Sequence, residues 1–466
     1  MLKTKVKPMS ILCLIQDSIA KSSFKKELLK IFFNQKRRWD IYYEKKKLEF
    51  LEFDEIKYYQ LIKFRNLLKV AMNALYYREI IYSFNKHIDD FTLDDLKKFP
   101  ILTKEIIRRE KPRLLSKPIK ELFSNSSGGS TGEPINFYQD QNYRDQKWAT
   151  SILVMETFGW TYGARVARLW GAPQDKPNLK TKISYFLQNT RFYDSFNMSE
   201  ENMLKYHKDM EKFQPDVIIS YASSIYLLAK FLEKKGIKPN YPKISINTSA
   251  EVLYPHMRET VERVFNVKVF ETYGSREVST IGYECEMHSG LHILMNDVIL
   301  ECIDPITKED VFEKPGEIII TDLNNYGMPF IRYKIGDMGI LSKEKCKCGR
   351  NTLLLKKVIG RTTDNFILKN GRIVHGEYFT HLFYGLEGIK EFQFVQEKID
   401  SFTLYIVKDE NFDVNIINRL EQEIKNVVGS DSQLDIIFVE SIPKTPTGKY
   451  RFTISKINLD EVLNSL

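Results

Sequence analysis

The sequence has 466 residues, which is too long for one ordinary domain and predicts two or three. Its hydrophobic fraction of 43% and charged fraction of 28% are those of a globular protein, and its apolar runs are shorter than the roughly 18 residues of a membrane helix. The net charge of +9 comes from short Lys and Arg runs rather than one basic stripe, so we expect solvated lysines and no nucleic-acid partner. Near the N-terminus Gln16, Asp17 and Ser18 interrupt an apolar patch, so we expect a cytoplasmic protein without a signal peptide.

The first hundred residues contain no Gly and are rich in Lys, Glu, Leu, Phe and Tyr. Apolar positions recur at helical spacing from Glu55 to Phe84, which predicts a helical N-terminal segment. Thr92 is followed by acidic residues and then by Pro100, a pattern that predicts a short helix capped by Thr92 and ended by the proline.

From about residue 120 onward, short β-rich runs alternate with helical patterns. We predict helices over 200–213, 223–235 and 255–265, and strands over 217–220, 244–247 and 267–270. Such alternation is typical of a parallel α/β sheet, in which ligands bind beyond the carboxyl ends of the strands. The polar runs 248–251 and 272–275 follow two of these strands and are therefore expected at the ligand-binding edge.

The strands predicted within 291–341 are joined by loops too short for crossover helices, so they indicate an antiparallel, barrel-like subdomain. Strands near 366–368, 402–407 and 434–439, with a helix over 414–428, predict a small α+β unit. The predicted fold is α/β, with a large N-terminal domain that contains parallel sheets and the β-barrel-like subdomain, and a small mobile α+β C-terminal domain. The predicted boundaries are 1–120 for the helical segment of the large domain, 121–360 for its core and 361–466 for the C-terminal domain.

The run from Ser126 to Pro134 has the composition of a phosphate-binding loop. Glycines let successive backbone N–H groups converge on an anion, and hydroxyls donate to phosphate oxygens. The run lacks the Gly-Lys-Ser/Thr of a Walker P-loop, and taken alone it suits a surface loop equally well. Its candidate ligand residues are Ser127, Gly128, Gly129, Ser130, Thr131 and Gly132.

A second motif, Tyr273, Gly274, Ser275 and Glu277, comes shortly after a predicted strand. A tyrosine can stack on a planar base, a glycine permits close approach and a glutamate can hold a divalent metal. Alone this motif is weak, because Tyr-Gly turns are common.

Two single residues complete the set of motifs. Asp337 follows the turn at Gly336 and is suited to binding paired hydroxyls. Lys449 ends a loop rich in Pro and Gly, which could carry its cation onto negative charge that develops at a phosphate or carboxylate. Each could also be an ordinary surface residue.

In order and spacing, these motifs resemble the adenylate-forming superfamily, and within it the phenylacetate–CoA ligases. The likeness is nearest to their relatives found with capsular-polysaccharide genes. It covers nearly the whole chain, from the entry segment at 93–104 through 215–224 to Gly360, Arg361 and Asp364. One departure is Glu133, which stands where many relatives have Lys.

The resemblance implies a role for each motif residue. Residues 127–132 would grip the ATP phosphates, Tyr273 would stack on adenine and Asp337 would hold the ribose. Glu277 would bind Mg²⁺, Asp364 would be the hinge between the two domains, and Lys449 would be the adenylation lysine. The remaining residues implied in the nucleotide site are Ser249, Ala250, Glu251, Gly274 and Ser275, and those implied beside the acyl pocket are Trp170 and Tyr221.

Cysteine and histidine pairs form a separate constellation. Cys285 with His288, and Cys346 with Cys348, are two ligand sets that suit a four-coordinate structural zinc, and His292 is an alternative fourth ligand. Cys-x-Cys is tighter than the usual Cys-x-x-Cys, and free thiols are the alternative. Some members of the resembled family carry zinc here, where it would pin the barrel-like subdomain rather than do chemistry.

The activity implied by the resemblance has two steps. A carboxylate attacks the α-phosphate of Mg-ATP and releases pyrophosphate, and after a domain rotation a thiol, amine or hydroxyl takes the acyl group. Surface-polysaccharide biosynthesis is the implied setting, while AMP transfer to a cofactor and an inactive nucleotide-binding scaffold are the alternatives. The expected cofactors are ATP, Mg²⁺, structural Zn²⁺ and, as one acceptor, coenzyme A. The expected partners are a small carboxylic acid and its acceptor, without nucleic acid or a membrane span, and a homodimer is allowed.

Overall fold

The structure is a computed structural model that describes residues 36–127, 135–171, 182, 185–186, 188–195, 197–251, 253–304, 307–358, 365–370, 372–383, 386, 388–442 and 452–457. Within these residues the α-helices are α1 (Lys36–Leu48), α2 (Phe53–Ala71), α3 (Leu75–Ser83), α4 (Leu93–Leu96), α5 (Lys104–Glu110), α6 (Gln141–Thr157), α7 (Glu200–Phe213), α8 (Ala222–Lys234), α9 (Pro255–Phe265), α10 (Gly376–His381) and α11 (Asn415–Val428). Short 3-10 turns lie at Ile88–Asp90, Lys111–Leu114 and Ile119–Glu121.

The strands fall into one large sheet, two hairpins and a small C-terminal sheet. Their bounds are β1 (Phe123–Ser126), β2 (Asn136–Gln139), β3 (Val166–Trp170), β4 (Thr190–Asp194), β5 (Val217–Tyr221), β6 (Ser245–Ser249), β7 (Lys268–Ser275), β8 (Ser279–Glu284), β9 (Leu291–Ile293), β10 (Val298–Ile303), β11 (Pro315–Asp322), β12 (Tyr333–Ser342), β13 (Leu354–Val358), β14 (Asn365–Ile367), β15 (Ile373–His375), β16 (Ile389–Lys398), β17 (Ser401–Lys408), β18 (Gln433–Phe438) and β19 (Thr453–Ser455).

The N-terminal segment is helical, as its periodicity predicts. The pattern over 55–84 forms two helices, α2 and α3, rather than one, and the break between them falls at residues 72–74. Thr92 caps α4 as predicted: its backbone N–H donates to Asp95 Oδ2 at 2.9 Å, and its side chain accepts from the backbone in return. The apolar faces of α2 and α3 pack into a core that contains Phe64 and Tyr77.

The large sheet has eleven strands in the order β10-β11-β12-β13-β9-β8-β7-β6-β5-β3-β4. The five strands from β7 to β4 are parallel, and the strands from β8 to β10 pair antiparallel. The predicted parallel α/β part is therefore confirmed. The antiparallel strands predicted as a barrel-like subdomain are continuous with it in one hydrogen-bonded sheet.

Both faces of the parallel part are covered, which is why its strands read as short apolar runs. Helices α7, α8 and α9 pack on the face that presents Ile218, Ile246 and Val269. Helices α1 and α6 pack on the opposite face, against Val166 and Val217. Strand β7 runs further than predicted and includes residues 271–275, so the second motif begins on the strand itself.

The C-terminal part has its own sheet, in the order β18-β17-β16-β19, and its own apolar core. Helix α11 buries Leu420, Ile424 and Val428, one residue per turn, over that core. The predicted α+β unit is thus confirmed, with β15, β16 and β19 as strands that the sequence pattern did not predict. No helix in the described part of the chain is both long and apolar enough to cross a membrane.

Candidate functional site

The carboxyl ends of the parallel strands align in one row. Tyr221 ends β5, Ser249 ends β6 and Thr272 lies on β7, and the three residues are direct neighbours across the sheet. Because parallel strands present their carboxyl ends at the same edge, this row marks the edge at which ligands bind in such sheets. The predicted nucleotide residues Ser249 to Glu251 therefore lie at the expected edge.

The loop after β6 is held by its own glutamate. Ala250 has a φ of 71°, in the left-handed region that a non-glycine residue rarely adopts, so the chain turns sharply there. Glu251 Oε2 accepts a hydrogen bond of 2.8 Å from the backbone N–H of Ser223, in the first turn of α8. A carboxylate at a helix N-terminus is electrostatically favourable, so Glu251 fixes the loop between the strand ends.

Two predicted motifs, 64 residues apart in the chain, meet at this edge. The Tyr273 hydroxyl donates to Asp337 Oδ2 at 2.7 Å. The Tyr333 hydroxyl donates to Glu277 Oε1 at 3.1 Å, and Glu277 is buried. The runs 273–277 and 332–337 are therefore joined by two side-chain hydrogen bonds, each linking a tyrosine to a carboxylate.

Gly274 is required for this arrangement. A Cβ atom built on Gly274 would lie 2.3 Å from the carbonyl oxygen of Ser279, on the paired strand β8. The register of β7 and β8 also shifts between Tyr273 and Gly274. A bulge of this kind redirects side chains, and here it lies between Tyr273 and Glu277.

Ser127 closes the base of the predicted phosphate loop. Its N–H donates to the Ile135 carbonyl at 3.0 Å, and its hydroxyl accepts from the Ile135 N–H at 2.9 Å. The hairpin β1–β2 that carries the loop contacts the second motif, because Gln139 Nε2 donates to the Arg276 carbonyl at 3.3 Å. Residues 128–134, Asp364 and Lys449 lie outside the described residues.

A second cluster consists of three cysteines and one histidine. The side-chain ligand atoms of Cys285, His292, Cys346 and Cys348 all lie within 4.8 Å of one another. Cys285 Sγ is 3.6 Å from Cys346 Sγ, close to the roughly 3.7 Å that two thiolates span on a tetrahedral zinc. Cys348 Sγ is 3.3 Å from His292 Nε2.

The histidine of this cluster is oriented for a metal. The other ring nitrogen, Nδ1, is 2.9 Å from the hydroxyl of Thr352, which leaves Nε2 directed at the thiols. Burial, and to a smaller extent the charge of Arg350, lowers the pKa of His292 to about 4. The imidazole is therefore neutral near pH 7, as a zinc ligand must be. The residues present fit a structural zinc.

His288, the fourth ligand we predicted, is not in the cluster. Its Nδ1 lies 3.1 Å from Glu284 Oε1 and 3.1 Å from an Arg258 nitrogen, and its φ is 49°. The chain turns away at His288, and His292 on β9 takes the position beside the thiols. The prediction of His288 as a ligand is corrected to His292 on this geometry.

A buried polar network behind Glu277 was not predicted. Lys45 pairs with Asp297, which also accepts from Thr150 Oγ1 at 2.7 Å, and Asp322 lies in the same cluster. A small cavity is lined by Thr150, Asp297 and Asp322 together with Ser279, two residues from Glu277. Its members are spread from residue 45 to residue 324, so local sequence patterns give no sign that they meet.

Trp170 and Tyr221, predicted beside the acyl pocket, do contact each other. Their ring centroids are 4.2 Å apart with an interplanar angle of 23°, a stacked arrangement. Both residues end strands of the parallel part, at the ligand-binding edge. Arg168, two residues before Trp170 on β3, has its guanidinium carbon 5.2 Å from the indole centroid.

Known proteins resemble this chain along most of its length. Residues 366–456 match the family model of the CapK C-terminal domain. The chain is 28% identical over 435 residues to protein CapK of Staphylococcus aureus, covering 92% of this chain and 95% of that protein. It is 25% identical over 413 residues to the phenylacetate-coenzyme A ligase of Pseudomonas putida, covering 84% of this chain and 92% of that protein.

Solved structures give the same fold. 2-Hydroxyisobutyryl-CoA ligase, in complex with 2-HIB-AMP and CoA in the thioesterification state, superposes with a TM-score of 0.65 at 16% identity, over 90% of this chain and 93% of that one. This chain and that ligase therefore share one fold. With the sequence relatives, it confirms the resemblance that the motifs predicted: over most of its length the chain is similar to phenylacetate–CoA ligases and to CapK, and it is a ligase-like enzyme.

Proposed function

We propose that this chain activates a carboxylic acid as an acyl-adenylate at the expense of ATP, and then transfers the acyl group to an acceptor. The observation that carries the proposal is the pair of hydrogen bonds between the runs 273–277 and 332–337. These bonds bring the predicted base-stacking, ribose-binding and metal-binding residues together at the carboxyl ends of the strands, beside Ser249.

The nucleotide would bind between these residues. The hydrogen bond to Asp337 fixes the orientation of the Tyr273 ring, so that the ring is prepared for stacking on adenine. A carboxylate can accept several hydrogen bonds, so Asp337 can hold Tyr273 and the ribose hydroxyls together. Tyr273 and Asp337 would act as one unit, although their roles were predicted separately.

Glu277 is the residue that would hold Mg²⁺. Magnesium is commonly bound by one or two carboxylates together with substrate phosphates, and it would supply charge stabilisation at those phosphates. The Tyr333 hydroxyl donates a hydrogen bond to one Glu277 oxygen, and this bond holds the carboxylate in one orientation. Glu277 is buried, which excludes most water from that position.

The cysteine cluster would hold a structural Zn²⁺ through Cys285, His292, Cys346 and Cys348. It joins the turn between β8 and β9 to the loop that follows β12. Because the metal binds only the folded chain, it would stabilise this antiparallel part of the sheet.

Two acceptors follow from the relatives. The likeness to phenylacetate–coenzyme A ligases favours the thiol of coenzyme A. The resemblance of the motifs to capsule-associated relatives favours an amine or hydroxyl acceptor in surface-polysaccharide synthesis. Because activation of the acid consumes ATP, we propose that the protein acts in the cytoplasm. The first half-reaction is the same in each.

The first half-reaction is tested by ATP–pyrophosphate exchange against a panel of carboxylic acids. Exchange that depends on one acid or one class of acids is expected. A protein that binds ATP but exchanges with no acid would be the inactive scaffold. Pyrophosphate released only with a non-acid cofactor, together with the adenylylated cofactor, would indicate AMP transfer instead.

Lys449→Ala separates the two half-reactions. If Lys449 offsets charge at the reacting phosphate, exchange falls by about 100-fold or more while acyl transfer from a supplied acyl-adenylate is retained. Lys444→Ala, in the same loop, is the matched control and is expected to leave both steps intact. Equal loss of both steps in Lys449→Ala contradicts the role assigned to this lysine.

A further inference from the structure

Arg168 stands in an apolar part of the large sheet. Its neighbours on the two adjacent strands are Phe192 on β4 and Ile219 on β5. The residues two positions before and after it on β3 are Val166 and Trp170, which lie on the same face of the sheet. All four neighbours on that face are therefore apolar or aromatic.

The Arg168 side chain is half-buried and forms no ion pair within the described part of the chain. Its Nε is buried and makes no hydrogen bond there. Its one specific contact in that part of the chain is with the Trp170 ring, at 5.2 Å. A buried donor on a charged group costs free energy when it is left without a partner, so such donors are ordinarily satisfied.

Three other buried or half-buried arginines have carboxylate partners, whereas the buried Nε of Arg372 lacks a partner among the described residues. Arg332 pairs with Glu301, Arg258 makes two hydrogen bonds to Glu284, and Arg350 pairs with Glu49. Each of these pairs is part of the folded structure. Arg168 differs from these three because it forms no ion pair with a carboxylate among the described residues, although Asp194 lies on the same face, opposite Trp170.

The position of Arg168 connects it to the proposed active site. It contacts Trp170, which stacks on Tyr221, and Tyr221 is the direct neighbour of Ser249 across the sheet. Strands are spaced by about 4.8 Å, so β3 lies roughly 10 Å from β6, where the nucleotide would bind. That span suits the length of a small acyl group attached to AMP.

We infer that the acid activated by this chain carries a second anionic group, a carboxylate, which the guanidinium of Arg168 binds. This inference rests on the proposed function and adds the substrate class to it: a short dicarboxylic acid. The planar guanidinium fork matches a carboxylate with two parallel hydrogen bonds, and the indole of Trp170 supports its face. One carboxylate would react at the α-phosphate while the other sets the distance and direction of the acyl chain.

The test compares dicarboxylic acids of four to six carbons with monocarboxylic acids of the same chain length, by ATP–pyrophosphate exchange. The wild type should prefer the best dicarboxylic acid by about 10- to 100-fold in kcat/KM, the range of hydrogen bonds to a charged group. Arg168→Met should remove this preference by lowering the rate with the dicarboxylic acid while leaving the monocarboxylic rates within about two-fold. Arg165→Met is the matched control, since the Arg165 guanidinium already donates to the Phe213 carbonyl at 3.0 Å.

Two results would overturn the inference alone: a wild type that exchanges with acids but has no dicarboxylic preference, or a preference that survives in Arg168→Met. If no acid supports exchange, the proposed function fails. Whether Arg168 binds a carboxylate is then tested by the shift that the same acids cause in the thermal unfolding midpoint. Stabilisation of the wild type by dicarboxylates, lost in Arg168→Met, would support the anion site. Equal stabilisation of both proteins, or none of either, would overturn it.

Discussion

The buried carboxyl of Asp322 makes a quantitative prediction about stability. Asp322 is buried in the network behind Glu277; its Oδ1 accepts from the Asn324 N–H at 2.8 Å, and its Oδ2 has no hydrogen-bond partner among the described residues. Burial, and to a smaller extent the charge of Asp297, raises the pKa of Asp322 from 3.8 to about 7. The protonated form is therefore favoured in the folded state.

The sign and size of the effect follow from linkage. Below pH 3.8 the Asp322 carboxyl is protonated in both the folded and the unfolded state, so it does not lower the free energy of unfolding. As the pH rises toward 7 the unfolded chain loses this proton while the folded chain keeps it, so the free energy of unfolding falls by about 1.4 kcal/mol per pH unit. Above pH 7 the loss levels off at about 4 kcal/mol.

Asp322→Asn removes the titrating carboxyl group, while the amide oxygen can still accept the hydrogen bond from the Asn324 N–H. The gain in free energy of unfolding over the wild type should grow by about 4 kcal/mol between pH 4 and pH 8, whatever constant offset the amide adds. Urea unfolding at several pH values measures it. Asp431→Asn is the control, because the ion pair with Lys369 lowers the pKa of Asp431 and places its titration below this range. A pH-independent difference between Asp322→Asn and the wild type would refute the reasoning.

Two further substitutions test the metal cluster and the strand bulge. His292→Ala should lose bound zinc, measured by elemental analysis of the purified protein, while His288→Ala should keep it; the reverse result would restore His288 as the ligand. Gly274→Ala should lower the thermal unfolding midpoint by the equivalent of about 1–3 kcal/mol, because its Cβ would lie 2.3 Å from the Ser279 carbonyl. Gly282→Ala, whose nearest contact would be 3.2 Å, should cost less, and equal effects would contradict the argument.

Much of the parallel sheet follows from local pattern. Helices α7 and α9 begin and end at the predicted residues, because each has a clear amphipathic period and a stop signal after it. Strand β7 was predicted too short, because residues 271–275 are polar and only half-buried. Polar residues at the end of a strand have the sequence pattern of a loop, although hydrogen bonds to β8 keep these residues extended.

The motifs predict the candidate site residues one by one, but they do not predict the contacts between them. Tyr273, Glu277 and Asp337 stand in recognisable motifs, yet the bonds that join them depend on the order of strands in the sheet. The choice between His288 and His292 depends on a backbone turn that spacing alone does not fix. Arg168 and Asp322 belong to no motif, so their roles can be inferred only from the residues that surround them in the fold.

Acyl-adenylate formation is the central claim, and the fate of the carboxylate oxygen tests it most directly. When an acid labelled with oxygen-18 in its carboxylate is converted with ATP and an acceptor, attack on the α-phosphate transfers one labelled oxygen to AMP. The expected result is AMP that carries one oxygen-18, with unlabelled pyrophosphate. Unlabelled AMP, or label in a phosphate released from the γ-position, would contradict acyl-adenylate formation by this enzyme.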